Sequence, residues 1–145
     1  MDLWLAEEIP DPDLLFYRFP VGNLRSGDDR VFPGVFAENK GSMSTDWCKY
    51  SSAAQTRSRQ GRPARFAIIR LVVGQIREID DMSVVHSPTQ NVAGQPDNRA
   101  HTSVFGIEAG VGRPAELGRK ERIRTELYRR FNTWEIPPHA PVDPA

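Results

Sequence analysis

Two histidines stand at the inner ends of two short apolar runs: "SVVH" closes at His86 and "HTSVFG" opens at His101. If these runs pair as antiparallel strands, both imidazoles leave the sheet at the same end, side by side. Imidazole changes charge near neutrality, so one ring can take a proton while its neighbour supplies one. Such a pair suits cleavage of an RNA phosphodiester, in which the 2′-hydroxyl loses a proton and the leaving oxygen gains one. Arg99 lies close by in sequence with Thr102 and Ser103, and the stretch "TRSRQGRPAR" adds Arg57, Arg59, Arg62 and Arg65 as phosphate holders. Arginine's planar fork matches phosphate oxygens, and phosphate contacts carry much of nucleic-acid affinity. The expectation is a protein that acts on or binds RNA or a nucleotide, with His86 and His101 as acid and base. The competing expectation is scaffolding, with Asn91, Asp97 and Asn98 forming turns and both histidines bonded to loop carbonyls.

Two histidines with Asp97 come from one loop without the rigid spacing of a metal site, so no metal is expected, and no cofactor. Cys48 after Trp47 reads as a half-buried, inert thiol rather than a nucleophile. The order Arg18, then Ser44-Thr45, then Glu108 resembles ADP-ribosyltransferases, in which an arginine holds the pyrophosphate of NAD and a glutamate stabilises the ribosyl cation. The paired Ser-Thr-Ser and Glu-x-Glu motifs of that family are absent. The run "VVHSP…DNRAHTSVFG", preceded by "LFYRF" and "MSTDW", resembles a family of small uncharacterised bacterial proteins with a His-x-Pro loop and an Asn-x-Ala-His strand start. His86, Pro88, Asn98, Ala100 and His101 carry that resemblance, which covers residues 14 to 106 and departs at the insertion "TQNVAGQP". It implies a pattern and no mechanism. A non-catalytic role is the remaining expectation: a subunit that binds an acidic protein through a basic helix face, an aromatic leader or a proline-rich tail.

Composition bounds these readings. The 145 residues suffice for one domain with a real core, and 19 bases against 19 acids leave no net field toward nucleic acid or membrane. The charge is nevertheless uneven. Five acids and no base lie between Asp2 and Asp13, whereas ten bases face four acids between Arg18 and Arg70, so an acidic leader can lie across a basic face. A single cysteine fits a reducing, cytoplasmic location, and neither a signal peptide nor a membrane-length apolar run is present.

The elements that must position these residues follow from hydrophobic pattern and turn chemistry. Residues 1–13 read as an acidic leader whose Leu3, Trp4 and Leu5 dock on the body; 14–134 read as one globular domain, and 135–145 as a proline-rich tail. Strands are expected over 14–19, irregularly over 31–38, and over 82–86 and 101–106. The aliphatic run 65–79 reads as a central strand covered on both faces, with a bulge at Gly74. Ser44, Thr45 and Asp46 are helix N-cap types, and Ser51-Ser52 can start a short helix over 51–59. Residues 114–134 read as the one long helix, with Leu117, Ile123, Leu127, Phe131 and Trp134 as its apolar stripe and a basic outer face. The predicted fold is α+β: a mainly antiparallel sheet of about five strands with one long C-terminal helix packed on it.

Overall fold

Five stretches rich in β-branched, aliphatic and aromatic residues become strands in the computed structural model, which describes residues 2–25, 27–108 and 114–142. They are β1 (Leu14–Pro20), β2 (Met43–Trp47), β3 (Phe66–Val72), β4 (Ser83–His86) and β5 (His101–Phe105). Together they form a single sheet of order β3-β1-β2-β5-β4, antiparallel at every junction. Three helices complete the chain: α1 (Ala53–Ser58), α2 (Val73–Arg77) and α3 (Pro114–Arg130). The α+β expectation holds.

Alternation along each strand sorts the side chains onto two faces. One carries Leu15, Tyr17, Phe19, Met43, Trp47, Ile69, Leu71, Val84 and Val104, all buried. Against them pack Ile123, Leu127 and Phe131 of α3, with Val31, Val35 and Phe36 from the loop before β2, in one continuous core. The other face carries Phe16, Arg18, Ser44, Asp46, Ile68, His101, Ser103, Val85 and Phe105, as the strand register dictates. Helix α1 lies over β1 and β3 on this side. Toward β4 and β5 the face opens to solvent, with Ser44, Val85 and Phe105 exposed.

Four expectations change. The run 65–79 is not a central strand: β3 lies at the edge of the sheet, and the chain turns into α2 at Val73. Its apolar character survives because the tail covers the free edge, Ile68 and Ile136 exchanging backbone bonds of 2.9 and 3.2 Å. Gly74 is no bulge but a close approach, since a Cβ there would stand 2.9 Å from the Asp11 Cβ in the leader. Residues 31–38 form no strand. Pro33 lacks an N–H, and Pro33–Val35 curl into a 3-10 turn that still buries Val35 and Phe36. Ser44, Thr45 and Asp46 cap no helix; they lie inside β2. The helix start falls instead at Ser52, whose side chain and Gln55 form a reciprocal capping box.

The long helix ends at Arg130, before Trp134, whose indole N–H donates to the Asp29 carbonyl at 2.7 Å. The side chain of Leu117 lies outside the described residues. In the leader, Ile9 is the buried anchor and Trp4 is half-buried, while Leu3 and Leu5 are exposed.

Candidate functional site

His86 stands opposite Thr102 in the β4–β5 ladder. His101 is therefore one residue out of step, and alternation sends the two imidazoles to opposite faces of the sheet. The expectation that they sit side by side is corrected by this single-residue phase. His86 points into the core side and is 2 % exposed. Its Nδ1 accepts the Glu7 N–H at 3.0 Å, and its Nε2 lies 2.7 Å from the Arg99 carbonyl oxygen, which can only accept. The ring is thus neutral with its proton on Nε2. Trp47 meets it edge-on at 5.0 Å and Tyr50 stacks at 6.0 Å. The Glu7 carboxylate is held by Lys49, at 2.5 Å, and by Tyr50, and these two bonds, Lys49's first, keep its pKa below the ordinary carboxylate value. His86 fastens the leader to the sheet and has no nitrogen left for a substrate.

The arginines divide in the same way. Arg57 is buried and donates to three carbonyls, Phe66 at 3.0 Å, Ala140 at 2.7 Å and Pro141 at 3.2 Å. It ties the tail to the domain and cannot hold a phosphate. Arg99 is exposed on the leader side, its guanidinium 4.5 Å from the Tyr50 ring centre and 5.9 Å from that of Trp4. Arg62 and Arg65 are exposed in the turn before β3. Arg59 alone reaches the open face, where its Nε donates to Asp46 at 2.7 Å and its Nη2 to Ser51 at 2.8 Å.

Asp46 is the hub that sequence reasoning missed. Although nearly buried, its carboxylate accepts from Asn98 at 2.8 Å, Thr56 at 2.9 Å and Arg59. Its position in β2 puts it on the face of His101, its cross-strand partner. The usable signal was alternation: in "MSTDW" Ser44 and Asp46 fall between Met43, β-branched Thr45 and Trp47, and polar residues in step mark a polar face.

Arg18 shares that face. Phe16 pairs with Asp46, and two residues along each strand in the same direction lie Arg18 on β1 and Ser44 on β2. The Arg18 guanidinium rests 4.6 Å over the ring of Phe66 and is half-buried. Among the described residues its side chain has no hydrogen bond and no ion pair. Burial lowers its pKa from the ordinary guanidinium value, opposed by the charge of Asp46 and reinforced by that of Arg59. His101, half-buried, brings Nε2 to 3.2 Å from Ser44 Oγ and Nδ1 to 2.9 Å from the Ser87 carbonyl oxygen.

Of the residues expected for NAD chemistry, Arg18 and Ser44 lie on the same face of adjacent strands, without a contact between them among the described residues. Thr45 faces the core and donates to the Thr102 carbonyl at 3.0 Å. Glu108 is held by Lys120 at 3.1 Å and Arg124 at 3.3 Å, both on α3, the helix that closes the core face. The expected basic helix face is engaged in part: Arg124 also donates to the Phe36 carbonyl and Arg119 to that of Gly106, Arg129 and Arg130 pair with Glu126 along the helix, and Arg122 is exposed. Cys48 is half-buried, and its sulfur accepts the Leu14 N–H at 3.4 Å.

Two surface grooves lie elsewhere, one lined by residues 78–81 and α3, the other by residues 29–31 and 132–134. Neither includes a residue of the open face. Among the described residues no group of three or more His, Cys, Asp and Glu could hold a metal ion, and no helix is long and apolar enough to cross a membrane. Comparison with family models, with curated proteins and with solved structures gives no match.

Proposed function

We propose that the protein binds a phosphorylated ligand of nucleotide type on the open face of β1, β2 and β5. The observation that carries this reading is Arg18, a half-buried guanidinium flat on Phe66 whose donors no described protein group claims. Holding a cation partly out of water without a partner is costly, and an anion offsets that cost. On the same face, across β2 and β5, Ser44, Ser103 and Ser87 supply small hydroxyls, and exposed Phe105 and Val85 give an apolar flank suited to a base or ribose. Of the residues first expected to act on phosphodiesters, His101 and Arg59 remain in this reading. Whether the ligand is a free nucleotide, NAD or RNA is decided by the test. A cytoplasmic location belongs to the same reading and rests on the single thiol of Cys48.

The test is an NMR titration of the Arg18 and His101 side-chain signals with ADP, NAD, inorganic phosphate and a short oligoribonucleotide. Both signals should shift together, and Arg18→Ala should weaken binding at least about tenfold, the loss of one charge-assisted contact. Because among the described residues Arg18 makes no fold contact beyond its stacking, the variant should melt within about 2–4 °C of the wild type, an effect of about 1 kcal/mol. An oligonucleotide bound through several phosphates would show a much steeper salt dependence than ADP. Absence of shifts at Arg18 with every ligand would overturn the reading.

A further inference from the structure

We propose that Ser44 and His101 form a nucleophile–base pair that accepts an acyl group from an acyl phosphate anchored at Arg18; the anchoring rests on the anion reading above. His101 Nδ1 lies 2.9 Å from the Ser87 carbonyl oxygen, an acceptor only, and 3.0 Å from Ser87 Oγ, so a ring proton on Nδ1 is the tautomer that serves both oxygens and leaves no lone pair facing the carbonyl. The Nε2 lone pair is thereby presented to Ser44 Oγ at 3.2 Å. The carbonyl that orients the ring is itself fixed: the Ser87 N–H donates to the His101 carbonyl at 2.9 Å, and Ser87 Oγ bonds Ser103 Oγ at 2.8 Å. Nucleophile, base and orienting group therefore stand in the order that activates a serine. Ser44 is exposed, and among the described residues its hydroxyl has no partner but His101.

The electrophile follows from charge. A serine oxygen shedding its proton meets less repulsion at a neutral carbonyl carbon than at a phosphate anion, whereas Arg18, on the neighbouring strand of the same face, suits an anionic group of the same ligand. An acyl phosphate supplies both. In the first step the Ser44 Oγ–carbon bond forms, the bond from the acyl carbon to the phosphate oxygen breaks with its electron pair leaving on the phosphate, and the Ser44 proton passes to His101 Nε2. Once His101 has released that proton to solvent, it takes a proton from water as the hydroxide adds to the ester. It returns that proton to Ser44 Oγ as the carboxylic acid departs. The sum is acyl phosphate plus water giving carboxylic acid plus phosphate.

The experiment uses acetyl phosphate as probe and p-nitrophenyl acetate as its neutral counterpart, with the full chain. Acid-quenched samples are digested and the acetyl group located by mass spectrometry, while phosphate or nitrophenol release is followed in parallel. The expected result is acetylation at Ser44, none there in Ser44→Ala, and a rate at least about a hundredfold lower in His101→Gln. Arg18→Ala should slow the reaction with acetyl phosphate by a larger factor than that with p-nitrophenyl acetate. Circular dichroism establishes that each variant is folded, and exposed Ser44 makes its alanine variant the safest of the three. Neither a Ser44 adduct nor turnover of either probe by the wild type would overturn the pair, as would a folded His101→Gln that reacts at the wild-type rate. If the wild type binds ADP through Arg18 but never acylates, the pair fails and the binding reading stands. If Ser44 acylates from p-nitrophenyl acetate alone and nothing binds Arg18, the acyl-phosphate assignment and the anion reading fail together.

Discussion

Replacing His86 by alanine removes a ring that is 2 % exposed, packed edge-on against Trp47 and stacked on Tyr50. Truncating a buried aromatic side chain typically costs about 3–5 kcal/mol. The substitution also leaves the Arg99 carbonyl and the Glu7 N–H without their partners. Buried unsatisfied groups cost about 1–3 kcal/mol each, but the Glu7 N–H recovers water once the leader lifts, so the total stays at about 4 kcal/mol. At about 2–4 °C per kcal/mol for a domain of this size, the melting temperature should fall by about 8–16 °C. Calorimetry reads that number, and limited proteolysis should show earlier cleavage between Glu7 and Ile9. His101→Ala removes a half-buried ring from the solvent side and should cost no more than about 1–2 kcal/mol. A His86→Ala protein melting within about 2 °C of the wild type would refute the assignment of His86 to structure.

Other positions carry equally specific expectations. The Tyr17 phenol is pushed up to about 12 by burial and donates to the Val35 carbonyl at 2.7 Å. Its raised pKa means that the native state favours the neutral phenol, so this stabilisation is complete below about pH 10 and is lost as pH rises through about 12. Over that window the wild type should lose about 2–3 kcal/mol that Tyr17→Phe does not lose, as urea denaturation at a series of alkaline pH values will show. Arg57→Ala should cost about 2–4 kcal/mol and speed amide exchange at Ile136, with ADP binding unchanged, because its three acceptors are all backbone carbonyls. Gly106 has φ +119°, and a Cβ there would stand 2.2 Å from the Asp81 carbonyl oxygen. Gly106→Ala should therefore destabilise by about 3 kcal/mol or more in a chemical denaturation curve.

Much of the fold is legible from the chain because its signals are local. The apolar residues of β1, β4 and β5 run at strand spacing, Ile123, Leu127 and Phe131 repeat at helix spacing, and Ser52 with Gln55 announces a helix start. The α+β class follows from those signals alone. The tertiary structure decided what depends on distant partners. Ser44, Thr45 and Asp46 carry cap chemistry, yet β5 pairs with all three and β1 with Asp46, and those ladder bonds outweigh a local cap. The run containing β3 looks central because both its faces are buried, but its edge is covered by Ile136, a residue from the far end of the chain. Arg57 and Arg59 differ by two positions in sequence; one turns inward to the tail carbonyls and the other to Asp46 on the open face. Likewise His86 and His101 were legible as a pair of strand ends, but not as neighbours or strangers. A shift of one residue in the β4–β5 register exchanges the faces of a strand's side chains, and that phase is set by packing across the whole sheet rather than by either segment.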